Sequence, residues 1–261
     1  MTSFSHAFRV MWRPKFRSMN QLLFFNLIAV VITMLYQIWQ LGLANLEMIT
    51  TVMGWGTVFG FVAFILLTRQ NEQMLVSDTY RLLPTGDTKL YLANLVTSLV
   101  ALVYVGVVQV VLVLIGTAMT GKTIRNWFQT NVNFQMNAAD LRNLALYGTT
   151  SVFWVVAIVL WIWVFVNLIH FGTNTISAFL PNVQQRIVKV VLAVILTWVA
   201  IRFMSWIAHL ESQVYNHFTT VSDITLNASG IWLDLLSLFV AIAVVAALNI
   251  FMMKRWVEAK Y

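Results

Sequence analysis

The chain contains no cysteine, and only three of its 261 residues are proline. Without cysteine there is no disulfide, no thiolate metal site and no cysteine nucleophile. Charged residues are also scarce, since they make up 10% of the sequence, whereas a soluble domain carries about 25%. This composition argues against an ordinary globular enzyme of the cytosol.

Long uncharged segments take the place of the missing charges. Hydrophobic residues make up 60% of the chain, and the mean hydropathy is +0.81. Uncharged stretches cover residues 18–46, 48–68, 90–121 and 143–185, and each reaches the roughly 20 residues that a helix needs to cross a bilayer. These stretches show no period-two alternation, so helices are predicted rather than a barrel. We expect an all-α polytopic membrane protein.

Six transmembrane helices are predicted, over residues 22–43, 48–68, 90–120, 146–170, 187–208 and 231–253. With the N-terminus inside, twelve of the 16 Lys and Arg residues lie on the inner face and three on the outer face, while Arg202 lies within a span. Because cytoplasmic loops are enriched in Lys and Arg, both termini are predicted to be cytoplasmic. We expect one domain over residues 1–261.

The basic residues bear on the partners of the chain. The formal net charge is +7, but the basic residues are spread between apolar runs rather than gathered on one face of a soluble module. This favours contact with anionic membrane lipid over nucleic acid.

An interfacial helix is predicted ahead of the first span. Phe4, Phe8, Met11 and Trp12 fall on one side of a helical wheel, and Pro14 is expected to end the helix. The alternative is a frayed basic tail.

Residues 116–123 match the phosphate-binding pattern G-x-x-x-x-G-K-[ST] letter for letter. The pattern requires a soluble α/β domain in which backbone amides and the lysine hold phosphates. Here it ends an apolar run of span length, and the predicted topology places Lys122 outside the cell. We interpret the match as a coincidence.

The segment 69–89 is the largest predicted cytoplasmic segment, and it mixes both charge signs with apolar residues that we expect to be exposed: Met74, Leu75, Leu82 and Leu83. A short amphipathic helix is predicted over residues 72–82, closed by Pro84 and a turn at 85–87. Its apolar side requires a partner protein, or else lies flat on the membrane.

The same segment carries a resemblance to a known family. Glu72, the run Leu82-Leu83-Pro84-Thr85, and the following Leu-Tyr-Leu-Ala-Asn at 90–94 resemble the coupling loop of type-2 ABC exporter permeases. Six spans, cytoplasmic ends and a length near 260 residues are similar too. The family often has lysine where this chain has Asn94, and Gly-Thr-Leu-Glu where it has residues 74–77.

The resemblance implies an export permease subunit in the plasma membrane. Lipids, antimicrobial peptides, drugs and ions are all open as its cargo, and the resemblance favours hydrophobic or peptide-like cargo. A separate ATP-binding subunit would dock on the loop, and a second permease subunit, identical or paralogous, would complete the transporter. The docking contact that the resemblance implies comprises Glu72, Met74, Leu75, Asp78, Arg81, Leu82, Leu83, Pro84, Thr85 and Lys89.

Two ionisable residues are predicted inside spans. Arg202 and Asp234 lie at similar depth if the fifth and sixth spans are antiparallel neighbours. A charge near the bilayer centre costs about 3 kcal/mol on insertion scales. The pair is either a polar element of an outward gate, or a structural clamp or two residues that extend separately to the interface.

Small and polar residues mark two further helix faces. Gly56 and Gly60 form a G-x-x-x-G step, which lines a dimer seam or, as we favour, a packing contact within the chain. Asn94, Ser98, Ala101 and Gln109 lie near one face of the third span, which borders a substrate path or is a small-residue packing face.

Enzymatic machinery is not visible in the sequence. The four histidines show no metal-ligand spacing, and no G-x-S-x-G pattern occurs. We expect no catalytic residue, cofactor or metal in this chain. The alternative to a permease is a membrane-bound immunity or sensor protein that binds a partner without transport.

Overall fold

The computed structural model describes residues 3–42, 48–82, 84–131, 138–177, 190–195, 197–199, 201–202, 205, 209 and 228–255. These residues form helices and connecting turns, without a strand. The helices whose bounds are described are α1 (Phe4–Leu41), α2 (Met48–Val76), α3 (Asp78–Arg81), α4 (Asp87–Asn131), α5 (Ala138–Ser177) and α6 (Ala228–Arg255).

Five of these helices are long and apolar enough to cross a membrane. The candidate spans are Phe4–Gln40, Met48–Val76, Asp87–Ala118, Gly148–Thr173 and Asp234–Arg255. The region of the predicted fifth span contributes a shorter apolar helix, Val190–Val199, and much of that region lies outside the described residues. The chain is thus an all-helical, multi-pass membrane protein by the length and composition of its helices.

The helices group into two compact units. Unit 1 comprises Met1–Met74 and Leu92–Arg142, and unit 2 comprises Leu75–Tyr91 and Asn143–Tyr261. Unit 1 therefore contains α1, nearly all of α2 and most of α4, whereas unit 2 contains the loop between α2 and α4 together with most of α5 and all of α6.

Polar side chains set the register of α1 in unit 1. The Gln70 Nε2 donates to Ser18 Oγ at 2.8 Å, and the Trp55 Nε1 donates to Thr33 Oγ1 at 2.9 Å. Rising numbers on α1 pair with falling numbers on α2, so the two helices are antiparallel. The Tyr104 hydroxyl of α4 donates to Asn20 Oδ1 of α1 at 2.8 Å, and Lys15 of α1 contacts Asn94 of α4. The contacting residue numbers rise together on the two helices, so α4 runs parallel to α1.

The prediction that a separate N-terminal helix ends near Pro14 is wrong. Helix α1 runs from Phe4 to Leu41 with Pro14 inside it, and ends before Gly42, whose φ of 75° suits glycine. A proline inside a helix costs about 3 kcal/mol. Here the inward face continues unbroken past it at four-residue spacing, and this packing offsets the loss. The fully buried residues of that face are Ala7, Met11, Lys15 and Met19.

The rest of the N-terminal half of α1 is amphipathic, as predicted. Its three arginines, Arg9, Arg13 and Arg17, are exposed at the same four-residue spacing. An aromatic row lies beside them: Phe8 stacks on Trp12 with ring centroids 6.2 Å apart, and Trp12 stacks on Phe16 at 5.2 Å. The basic and aromatic surface is therefore part of a long helix rather than a detached segment.

The loop between α2 and α4 also differs from its prediction. The expected helix over 72–82 is interrupted at Ser77, because α2 continues to Val76 and α3 is a separate single turn. Since Met74 and Leu75 belong to the packed face of α2, they are only 5% and 0% exposed, and the prediction that they are exposed is wrong. Leu82 is 82% exposed, as predicted.

Two further segments are helical. Residues 116–123, which match the phosphate-binding pattern, lie within α4. This agrees with their interpretation as a coincidence, since the motif requires a loop between a strand and a helix. The fourth span was predicted to end at residue 170, but α5 continues to Ser177 and buries Phe171 and Thr173.

The G-x-x-x-G step packs within the chain at Gly56. The Gln109 side chain crosses the Gly56 backbone, where its Nε2 donates to the Val52 carbonyl at 2.7 Å and its Oε1 accepts from Asn26 Nδ2 at 3.1 Å. A methyl group at position 56 would overlap the Gln109 carboxamide, whereas one at Gly60 would meet no atom within 4 Å. Gly56 thus admits the bridge that Gln109 makes between α1 and α2.

We predict that Gly56→Ala and Gly60→Ala change stability in opposite directions. Gly60→Ala gains helix propensity and should stabilise the chain by about 0.5 to 1 kcal/mol. Gly56→Ala gains the same amount but displaces Gln109, and the broken hydrogen bonds should leave a net loss of about 1 kcal/mol. Denaturant unfolding of the detergent-solubilised protein measures both. In a Gln109→Ala background Gly56→Ala should no longer destabilise, and equal losses in both backgrounds would contradict this account.

Candidate functional site

The candidate functional site is built around Lys15, the one charged side chain among the described residues that is fully buried. Lysine is almost never buried unless it is paired. Because ionisable residues within membrane helices usually serve a function, Lys15 marks a candidate site. It lies on the inward face of α1, one turn after Met11 and one turn before Met19.

Five oxygen atoms surround the Lys15 ammonium, and we call them the oxygen cage. Their distances from Nζ are 2.6 Å for Ser98 Oγ, 2.7 Å for Asn94 Oδ1, 2.8 Å for the Asn94 carbonyl, 2.8 Å for Thr97 Oγ1 and 3.1 Å for Asn71 Oδ1. Asn71 belongs to α2 and the other three residues to α4. The cage therefore joins the three helices of unit 1.

Hydrogen bonds within the cage fix the direction of its oxygen lone pairs. The Thr97 hydroxyl donates to the Asn94 carbonyl at 2.9 Å, and the Ser98 hydroxyl donates to Asn71 Oδ1. The Asn94 Nδ2 donates to the Asn71 carbonyl at 3.0 Å. Since these donors point away from Lys15, the oxygens present lone pairs to its ammonium. The cage is polarised for a positive charge.

The charge itself has no acidic partner. Among the described residues no carboxylate pairs with Lys15. An ammonium has three protons, so three protons are shared among five acceptors. Burying a charge is costly unless it is hydrogen-bonded in this way, and hydrogen bonds to charged groups contribute about 1.5 to 3 kcal/mol each. Lys15 is thus tolerated only while α2 and α4 keep the oxygens in place.

A second buried polar cluster lies in unit 2, and we call it the Tyr91 cluster. The Asn249 Nδ2 on α6 donates to the Tyr91 hydroxyl at 2.9 Å and to the Val164 carbonyl of α5 at 2.7 Å. The side chains of Tyr91, Asn167 and Asn249 are buried. The first turn of α4 is therefore fixed to α5 and α6 by hydrogen bonds.

The two clusters are close together along the sequence. Asn71 lies four residues before Leu75, where the unit 2 loop begins, and Asn94 lies three residues after Tyr91, where it ends. The loop that resembles a coupling loop therefore begins and ends beside residues that are held by buried hydrogen bonds.

The predicted docking residues of this loop differ in exposure. Leu82, Pro84 and Lys89 are exposed, and Glu72 is half-buried. Thr85 is half-buried as well. Tyr80 of α3 is half-buried, and desolvation raises the pKa of its hydroxyl, which stays neutral. Leu83 and the side chains of Asp78 and Arg81 lie outside the described part of the chain.

Arg202 and Asp234 form no ion pair with each other in the part of the chain that the structure describes. The Arg202 guanidinium lies 5.5 Å from the centroid of the Trp198 ring, a cation–π distance, and both charged side chains are exposed. A role for the two residues in an outward gate stays a prediction.

Sequence reasoning missed Lys15 as a site residue, because it counted the lysine only as an inner-face charge. The signal was the apolar four-residue spacing on both sides of Lys15, which places it on the buried face once α1 continues past Pro14. The polar face of the third span was identified: Asn94 and Ser98 are fully buried there, and they contact Lys15. Among the described residues no cluster of His, Asp or Glu could hold a metal ion.

No family model, curated protein or solved structure matches the chain.

We predict that Asn71→Asp and Asn94→Asp have opposite effects. The Asn71 Nδ2 is buried without a hydrogen-bond partner, so aspartate there loses nothing and gains an ion pair with Lys15, which should stabilise unit 1 by about 1 kcal/mol. Aspartate at 94 loses the Nδ2 bond to the Asn71 carbonyl and should destabilise by about 1 to 3 kcal/mol. Thermal unfolding in detergent measures both.

The control repeats Asn71→Asp in a Lys15→Met background. There the new carboxylate is buried without a cation, and the substitution should become destabilising. A stabilising effect that persists without Lys15 would disprove the cage as its cause.

Proposed function

We propose that the chain is the membrane subunit of an ABC exporter, which contains no ATPase site and couples hydrolysis by a separate ATP-binding subunit to export of hydrophobic or peptide-like cargo. The observation that carries the proposal is the loop between α2 and α4. It combines the motif residues Glu72, Pro84 and Thr85 with a leucine, Leu82, that is 82% exposed. Leu82 lies outside the candidate membrane spans, so it can serve as an apolar contact with a polar rim around it.

The helices that flank the loop support a coupling role. A push on the loop moves α2 and α4, which continue from it for 29 and 45 residues. Loops are usually the most mobile parts of a protein, but this one is attached to buried polar residues at both ends, Asn71 and Tyr91. Such attachment lets a force on the loop reach the spans rather than dissipate in loose chain.

The family's frequent lysine at position 94 has a counterpart here. This chain has Asn94 there, and its Oδ1 lies 2.7 Å from the Lys15 ammonium. A positive charge is therefore present beside α4 one turn after Tyr91, although it comes from α1. This supports the resemblance at a position where the sequences differ.

The proposed topology has six spans in the plasma membrane and both termini in the cytoplasm. The complete transporter also contains a second permease subunit. Twelve inner against three outer basic residues support the orientation. The absence of cysteine makes the topology directly measurable, because every introduced cysteine is the only thiol.

We predict that Ser5→Cys, Lys89→Cys and Tyr261→Cys react with a membrane-impermeant maleimide only after cells are permeabilised, whereas Asn45→Cys reacts in intact cells. Ser5 and Tyr261 are the informative pair, since an even number of spans places them on one side. If Tyr261→Cys but not Ser5→Cys is labelled in intact cells, the number of spans is odd and the proposal is contradicted.

The docking proposal predicts that the chain co-purifies with the ATP-binding protein encoded beside it, and that Leu82→Asp reduces this complex at least about tenfold, because a charge replaces a buried apolar contact. Leu82→Met keeps the apolar contact and should retain the complex. Quantitative pull-down from detergent extracts, with span folding checked by thermal unfolding, gives the result. A complex equally strong with Asp and Met at position 82 would contradict docking at this loop.

A further inference from the structure

We propose that the oxygen cage of Asn71, Asn94, Thr97 and Ser98 is a binding site for a compact, singly charged cation, and that the tethered ammonium of Lys15 is its resident occupant. The ligand class is a primary ammonium group or a monovalent metal ion. This inference is independent of transport, since it concerns only side chains within unit 1.

The orientation of the cage oxygens does not depend on Lys15. Three protons of the cage residues are committed within the cage: the Thr97 hydroxyl donates to the Asn94 carbonyl, the Ser98 hydroxyl to Asn71 Oδ1, and the Asn94 amide to the Asn71 carbonyl. The bond from Ser98 also keeps the Asn71 side-chain oxygen, rather than its unpartnered Nδ2, in the cage. Removing the lysine side chain leaves those bonds in place. The five oxygens would still present lone pairs to the position of Nζ.

The distances and the neutral oxygens of the cage suit a singly charged occupant rather than a divalent metal ion. Four of the five oxygens lie 2.7 to 3.1 Å from the central atom, farther than the roughly 2.0 to 2.6 Å at which Mg²⁺ and Ca²⁺ bind oxygen, and Ser98 Oγ lies at the upper limit of that range, at 2.6 Å. All five oxygens are neutral, whereas divalent cations favour carboxylates. One backbone carbonyl, two side-chain amide oxygens and two hydroxyl oxygens instead resemble the neutral oxygens that replace the hydration shell of a monovalent ion.

A cation in the cage links the helices of unit 1. Because the ligand oxygens come from α2 and α4 while the occupant comes from α1, a cation in the cage holds three helices together. The site lies immediately before and after the α2–α4 loop in sequence. Whether the cage is filled therefore sets how firmly α1 is held to α2 and α4 within unit 1.

The test uses the full chain with Lys15→Ala, which removes the atoms from Cγ to Nζ. A propylammonium ion has the same three carbons and one nitrogen. Thermal unfolding in detergent is compared in propylammonium, potassium and tetramethylammonium chloride at equal ionic strength, because bulk salt effects are then shared. Tetramethylammonium carries the same charge but is too large for the cage and donates no hydrogen bond.

We expect Lys15→Ala to lower the Tm by on the order of 5 °C. Propylammonium should restore most of that loss by binding only the folded chain, potassium should restore a smaller part because it leaves the side-chain channel empty, and tetramethylammonium should restore none. Recovery by propylammonium alone would identify the site as selective for primary amines. Recovery of the Tm by both propylammonium and potassium would extend the ligand class to monovalent metal ions.

Lys89→Ala is the matched control, since it removes an equal charge from an exposed lysine of α4, and its Tm should not distinguish the three salts. Lys15→Met, which fills the channel without a charge, should not respond to propylammonium. If Lys15→Ala does not fold in potassium chloride, it is purified throughout in propylammonium chloride, where folding supports the proposal. Failure to fold in either salt, or an equal response to propylammonium and tetramethylammonium, overturns it.

Discussion

A positive charge buried without an acidic partner is the constraint on which unit 1 depends. The Lys15 ammonium has to find enough oxygen ligands away from water, because an unsolvated charge is far more costly than any single hydrogen bond. The arrangement of α1, α2 and α4 brings Asn71, Asn94, Thr97 and Ser98 to it together. A slip of α1 or α4 by a single turn would leave the charge without most of its partners. Lys15 therefore specifies the register of α1 against α2 and α4, and its hydrogen bonds also stabilise the packing of these helices.

Helix packing between apolar surfaces in a bilayer lacks this specificity, since lipid tails are as apolar as the side chains. The polar contacts of unit 1 supply it instead: Lys15 with Asn71 and Asn94, Asn26 with Gln109, and Thr33 with Trp55. In unit 2 the Tyr91 cluster does the same for α4, α5 and α6. The start of α4 takes part in both sets, which makes it the most constrained segment beside the loop. For a subunit proposed to transmit movement from a docked motor, that is the place where rigidity is needed.

Composition and periodicity predicted the class of fold, because twenty-residue apolar runs have few structural solutions in a membrane. The ends of helices were harder to predict. Pro14 carries a strong local preference to stop a helix, yet the buried face of Met11, Lys15 and Met19 outweighs it, and that packing is invisible until α2 and α4 are in place. Helix α2 likewise continues through charged residues to Val76, which moved Met74 and Leu75 from a predicted surface to the interior. The polar face of α4 was found from spacing alone. Its partner was not, because a lysine in an apolar series is counted as a loop charge unless the series is known to be helical.

The reactivity of the lysine amines tests the central claim most directly. Native protein in detergent is treated briefly with an acetylating reagent, and the modification of each lysine is followed by mass spectrometry. A buried amine in the oxygen cage should react on the order of 100-fold more slowly than the exposed Lys89, because it has to wait for α1 to separate from α2 and α4, and the difference should vanish in denaturant. Acetylation of Lys15 at the same rate as Lys89 in the folded protein would show that the charge is not buried, and the account built on it would be wrong.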